Sequence, residues 1–132
     1  MRLSKSQRAK GQRGEREAAA LLQELTGWKI TRRVRQYDGD SDLEGIPGWS
    51  VEVKNHATAT LADVAGWWRQ AVAQAGEKLP LLIYKRQRGE WRAVWPVAAK
   101  ITEQRAEYWD GYEWTAETSL QAWAAVAREL QT

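Results

Sequence analysis

Residues 41–54 read Ser41-Asp42-Leu43-Glu44-Gly45-Ile46-Pro47-Gly48-Trp49-Ser50-Val51-Glu52-Val53-Lys54. Two short runs, Ser41–Ile46 and Trp49–Lys54, flank Pro47-Gly48, a pattern that predicts two strands joined by a tight turn. Side chains alternate across a strand, so Trp49, Val51 and Val53 share one face and Ser50, Glu52 and Lys54 the other. Folding back over the turn brings Asp42 level with Glu52, to within about one residue of register. Two carboxylates and one ammonium therefore converge on the polar face of a strand whose opposite face is apolar. A hard divalent cation such as Mg²⁺ takes an oxygen site of this kind, completed by waters and substrate phosphate. The ammonium is placed to hold a water or to balance charge developing on a phosphate. A lone Glu-x-Lys triplet arises by chance in a chain this rich in Glu and Lys, and is then an exposed ion pair worth little. The Asp ten residues upstream lifts this one above that background.

Trp28–Arg35 (WKITRRVR) is rich in β-branched and aromatic residues and predicts a strand, followed by a turn at Tyr37–Asp40. Upstream, Ala18, Leu21, Leu22 and Leu25 hold helical spacing, so a helix is expected from about Gln7 to Thr26, stopped by Gly27. Downstream, Thr60 and Asp63 form a capping signal for a helix whose apolar positions run from Leu61 to Ala75. Leu81–Tyr84, opened by Pro80, predicts a buried strand, and Trp91–Trp95, closed by Pro96, another; Lys85–Glu90 between them is a basic turn. Tyr108–Trp114 contains an Asp-Gly turn between aromatics and is read as a hairpin, and Ser119–Leu130 as a helix. Helix, three strands, helix, two strands and a tail give an α/β fold, a mixed sheet flanked by helices. No glycine fingerprint follows a strand and no Walker loop is present, which excludes the common nucleotide-binding folds.

The chain has 132 residues, enough for one core. It has no cysteine and one histidine, which excludes disulfide scaffolds, thiol catalysis, zinc ribbons and any relay needing two histidines. Tryptophan occurs nine times and phenylalanine never. No apolar run approaches the roughly 20 residues of a membrane span, so a cytoplasmic protein is expected. Residues 1–35 carry ten Lys/Arg against three Glu, whereas residues 97–132 carry three against six acids. A basic N-terminal third beside an acidic remainder suits a polyanion-facing surface.

Lys10-Gly11-Gln12-Arg13-Gly14-Glu15-Arg16-Glu17, then Ser41-Asp42-Leu43, then Val51-Glu52-Val53-Lys54, resemble the PD-(D/E)xK nuclease superfamily, and within it the archaeal and phage Holliday-junction resolvases. The resemblance spans about residues 7–96. It implies a restriction-endonuclease-like α-β-β-β-α-β-β core over residues 1–96, with residues 97–132 a C-terminal helical extension packed on that core or at a dimer interface. It also implies phosphodiester cleavage in DNA, branched or four-way, by a metal-activated water, with Mg²⁺ as cofactor and Mn²⁺ as a substitute. Asp42, Glu52 and Glu15 would be the metal ligands and Lys54 the catalytic lysine. On a helical wheel Glu15 lies about 70° from the centre of the leucine stripe and Glu17 about 90°, so Glu17 stays open as the helical carboxylate. Gly11 and Gly14 fall on the side of Glu15 and would permit close approach. The chain departs from the pattern at Ser41, which stands where the name motif has Pro, and in the acidic turn Tyr37–Asp40. Glu44 shares a face with Asp42 and is read as a solvated acid, with a ligand role as the alternative, and His56 is either a phosphate contact or a loop residue.

Lys10, Arg13, Arg16, Arg32, Arg33, Arg35, Lys85, Arg86 and Arg88 are candidate phosphate contacts, with Arg2, Lys5 and Arg8 extending the set along the N-terminal side. Gln70 and Gln74 are expected to face the site. Trp67, Trp68, Trp109, Trp114 and Trp123 are assigned to the core or to a dimer interface rather than to base stacking. Two symmetric cuts need two sites, so a homodimer is expected. The alternatives are another nuclease or nickase of the superfamily, or a non-catalytic DNA-binding domain of that fold.

Overall fold

The computed structural model describes residues 4–34, 41–86, 88–101 and 110–131. Helix α1 (Lys5–Thr26) opens on a capping box in which Ser4 Oγ accepts from the Gln7 N–H and the Gln7 side chain accepts from the Ser4 N–H. It closes on Gly27 at φ 80°, a left-handed cap that an L side chain resists. Its second half buries Ala18, Ala19 and Leu22, while no residue from Ser4 to Arg13 is buried.

Strands β1 (Thr31–Arg32) and β2 (Leu43–Glu44) form a two-stranded antiparallel ribbon. The strand expected over Trp28–Arg35 thus shrinks to two ladder residues. The physical reason lies in α1: Thr26 Oγ1 takes the Trp28 N–H at 3.1 Å and the Gln23 side chain takes the Ile30 N–H at 3.1 Å. Those backbone donors are satisfied without a neighbouring strand. Arg35 and the turn Tyr37–Asp40 lie outside the described residues.

Strand β3 (Trp49–His56), helix α2 (Leu61–Ala75) and strand β4 (Leu79–Arg86) make a parallel βαβ unit, with Glu52 opposite Leu82 and Lys54 opposite Tyr84. Helix α2 begins on the expected Thr60–Asp63 capping box. Strand β5 (Arg92–Pro96) runs antiparallel to β4, and β6 (Thr115–Ser119) antiparallel to β5. The sheet order is β3-β4-β5-β6, so β3 is an edge. A short α3 (Ala98–Ile101) and a 3-10 turn at Tyr112–Trp114 precede β6, and α4 (Leu120–Glu129) ends the fold. The expected hairpin at Tyr108–Trp114 is not formed by its described part, which is that 3-10 turn. β6 was not foreseen: Thr-Ala-Glu-Thr-Ser has no large apolar residue, and it becomes a strand by completing β5.

The result is three layers. On one side α1 and α4 cover Trp49, Val51, Val53, Leu81, Ile83, Ala93 and Trp95. On the other, Val64, Trp68 and Ala71 of α2 cover Leu82, Tyr84 and Val94. Trp123 is fully buried and meets Trp49 edge-on at 5.4 Å, so it belongs to the core and offers nothing to a dimer partner.

Candidate active site

The outer edge of β3 is closed by side chains. The Val51 N–H donates to Ser41 Oγ and the Val53 N–H to Asp42 Oδ2, each at 2.8 Å, while the Asp42 N–H donates to the Val51 carbonyl at 2.8 Å. Ser41 Oγ in turn donates to the Leu43 carbonyl at 2.6 Å. The turn expected at Pro47-Gly48 is present, but one backbone bond and two side-chain clamps, rather than a regular ladder, cross it, and β2 and β3 sit in separate sheets. Clamped between Val51 and Val53, Asp42 lies level with Glu52, as the spacing predicts.

Glu52 and Lys54 project from the face of β3 that looks toward α2. Glu52 is 6% exposed; its Oε1 stands 3.6 Å from Lys54 Nζ, and its Oε2 is buried with no hydrogen-bond partner. Burial pushes the Glu52 carboxyl up to about 7, the Asp42 charge adds to the rise, and Lys54 opposes it. Burial likewise raises Asp42 to about 6; the Val53 N–H opposes this, Glu15 adds to it, and Lys54 and Arg32 oppose it. Three acids are thus crowded where water does not relieve their repulsion.

The third acid comes from α1. Glu15 is buried, and its Oε1 accepts from Arg32 Nε at 2.9 Å. Gly14 lets α1 approach: a Cβ there would meet Asn55 Cβ at 2.8 Å. Asn55 Nδ2 also donates to the Lys10 carbonyl at 3.4 Å. Gly11 has open space around it. Glu17 is turned away, accepting from Lys85 Nζ and Trp91 Nε1 at 2.8 Å each, so the helical acid beside Asp42 and Glu52 is Glu15.

The basic residues divide. Arg32 is a partner of Glu15, and Arg33 donates through Nε to the Ser41 carbonyl at 3.0 Å while its Nη1 lies 3.6 Å from Glu44. Glu44 is half-exposed toward that arginine rather than in the acid cluster. Lys85 is tied to Glu17 and lies over the Trp91 ring. Arg86 and Arg88 are exposed around the β4–β5 turn, and Arg13 and Arg16 on α1, with Lys10 half-buried. Gln70 is exposed, and Gln74 lines a cleft of about 380 Å³ with Ser50, two residues along the polar face from Glu52. His56 stacks on Trp67 at 4.7 Å, and burial, with Lys54 and Lys10, pushes its pKa down. Sequence reasoning missed the clamp by Ser41 and the Glu15–Arg32 pair; only the placement of Ser41 beside Asp42 hinted at the first.

Asp42 and Glu52 supply an all-oxygen donor set with one unpartnered buried oxygen, which fits a hard divalent cation. Among the described residues no group of three or more His, Cys, Asp or Glu side chains is placed to hold a metal ion together. Mg²⁺ needs none, since it is held by one or two carboxylates plus waters and phosphate.

No curated protein matches the chain. Among solved structures it is similar to Hjc, a Holliday junction resolvase from Archaeoglobus fulgidus, at 21% identity and a TM-score of 0.49, over 89% of this chain and 95% of that one. The family described as "Phage putative PDDEXK endonuclease" matches residues 6–122. That match runs past Pro96, where the motif resemblance ends, through β6 and into α4. All of α1 but Lys5, the acid cluster and all four strands of the main sheet fall inside it, and the chain belongs to this family of PDDEXK endonucleases.

Proposed function

We propose that the chain is a Mg²⁺-dependent endonuclease that cuts branched DNA, four-way junctions included, by phosphodiester hydrolysis. The observation that carries the reading is the buried convergence of Asp42, Glu52 and Glu15 beside Lys54, with Glu52 Oε2 left without a partner. A folded protein keeps such an arrangement at a cost in stability, and perturbed acids of this kind mark functional sites. Asp42 and Glu52 hold the cation, and Glu15 completes the acidic wall under the control of Arg32. The bound cation supplies a water of lowered pKa and neutralises phosphate charge. Lys54 places its ammonium against a non-bridging phosphate oxygen or the attacking water. Mn²⁺, with the same preference for oxygen, substitutes.

The choice of branched DNA rests on the resemblance of Lys10–Glu17 to the resolvases. The DNA path runs along the exposed half of α1, with Lys5, Arg8, Lys10, Arg13 and Arg16, and past Arg86 and Arg88. A twofold homodimer would supply two sites for paired cuts, with Trp114, which is 43% exposed, available to its interface. No helix among the described residues is long and apolar enough to cross a membrane. Matched linear, flapped and four-way DNA, with Mg²⁺ or with chelator, test the reading: metal-dependent cutting of the junction is expected. Equal cutting of linear duplex replaces the branched target, and no cutting of any DNA refutes the nuclease reading. Sedimentation at micromolar concentration tests the dimer; a 15.1 kDa species alone, and one protein chain per junction in the complex, refute it.

A further inference from the structure

Past Lys54 the same face of β3 ends in an aromatic step. His56 is exposed, and its ring lies 4.7 Å from Trp67 of α2 at 30° between planes. Trp67 is half-buried and lies 6.0 Å from the ring of Tyr84, which pairs in register with Lys54. The lower layer of this stack is therefore anchored in the sheet while the upper layer faces solvent. His56 is four residues from Glu52 on the same face, about 13 Å along the strand. That is within one or two nucleotides' reach of a phosphate bound at the acid cluster.

We infer that His56, backed by Trp67, is a stacking platform for one unpaired nucleobase next to the scissile phosphate. This deepens the proposed function and rests on it for the position of the DNA. Every base has a π-face, so such a platform takes any base, but only one already out of its helical stack. A base in intact duplex is not available to it. The platform thus selects DNA opened near the cut, as at a branch or flap, without reading sequence. The charged groups around His56 favour stacking over phosphate contact. Burial, and then Lys54 and Lys10, oppose a positive charge on the ring, and Asp63, which favours one, is outweighed. A neutral ring on an indole is a surface for a base.

The test uses the full chain in chelator with four-way and flapped DNA carrying 2-aminopurine at successive positions on either side of the branch. Quenching at one position on binding is expected, lost in His56→Ala and partly kept in Trp67→Phe. An abasic site at that position should weaken binding by the parent about five- to fiftyfold and leave the His56→Ala affinity unchanged. A fold defect in the variants would lower affinity for both DNAs alike and would not remove the ratio between them. Binding with no position-specific quenching overturns the inference, as does quenching that survives His56→Ala. Quenching in chelator without cutting when Mg²⁺ is added sinks the nuclease reading and leaves only a base-stacking site, with no scissile phosphate beside it. Cutting without quenching does the reverse, and no binding to any of these DNAs overturns both.

Discussion

Replacing Glu52 by Gln should stabilise the metal-free protein while removing its activity. The Glu52 carboxyl keeps its proton up to about pH 7 in the folded chain, against an ordinary value of 4.5. Between those values the folded state binds a proton that the unfolded state has released. Stability therefore falls as pH rises from about 4.5 to about 7, and stays low above that. One unit of pKa is worth about 1.4 kcal/mol, so the shift bounds the penalty near 3 kcal/mol. Part of it is repulsion shared with Asp42, which leaves about 1–3 kcal/mol for the substitution to recover. For a chain of this size that is a rise in Tm of about 3–10 °C. Melts of parent and variant in chelator at pH 5 and pH 8 check it: equal stability is expected at pH 5 and a more stable variant at pH 8. Millimolar Mg²⁺ should raise the parent's Tm at pH 8 and the variant's much less. A variant less stable than the parent at pH 8, or a gain that is the same at both pH values, would refute the reasoning, because it would mean the carboxylate is welcome where it sits.

Asp42→Asn keeps an oxygen for the Val53 N–H and sheds a buried charge whose pKa is raised to about 6, so it should melt above the parent at pH 8, whereas Asp42→Ala orphans that donor and should be about 1–3 kcal/mol less stable than Asp42→Asn in urea titration; both should lose cleavage. Lys54→Ala should end turnover yet still gain Tm from Mg²⁺, which separates the ammonium from the ligands. Arg32→Ala should cost about 3 kcal/mol by removing the guanidinium that lies 2.9 Å from buried Glu15, a loss that Glu15→Gln in the same chain should partly restore. Replacing Lys5 and Arg8 together by Ala should flatten the log–log salt dependence of DNA binding by about 2 units with little change in Tm; an unchanged slope would remove the exposed half of α1 from the DNA path.

Helices were the most legible part of the fold, because their ends are written in single residues: Ser119, Thr60 with Asp63, and Gly27 each act as caps. β3 was legible because its two faces differ so sharply. β1 was not, since side chains on α1 intercept the donors that a longer strand would use. β6 was not, since its partner rather than its own residues makes it a strand. In the site, the turn at Pro47-Gly48 gave the level of Asp42, but the choice between Glu15 and Glu17 needed the bonds that turn Glu17 away to Lys85 and Trp91. The arginines were least legible. Charge alone does not tell a cation aimed at phosphate from one neutralising an acid, and Arg32, Arg33 and Lys85 all have acids beside them.

The clamp on the edge of β3 bears on how this chain would decay if selection on its chemistry were lifted. Asp42 and Ser41 occupy backbone groups that would otherwise be open to a stray strand, so losing them invites sticking between molecules. Glu52 has no such second duty, and its charge is a burden to the folded chain. A lineage drifting toward silence would shed the acid at position 52 early and hold an Asp or Asn at position 42 long afterward. Position 52 is then the informative one for telling a working copy from a relic, and an intact Ser41-Asp42 pair testifies only that the protein still has to stay apart from its neighbours.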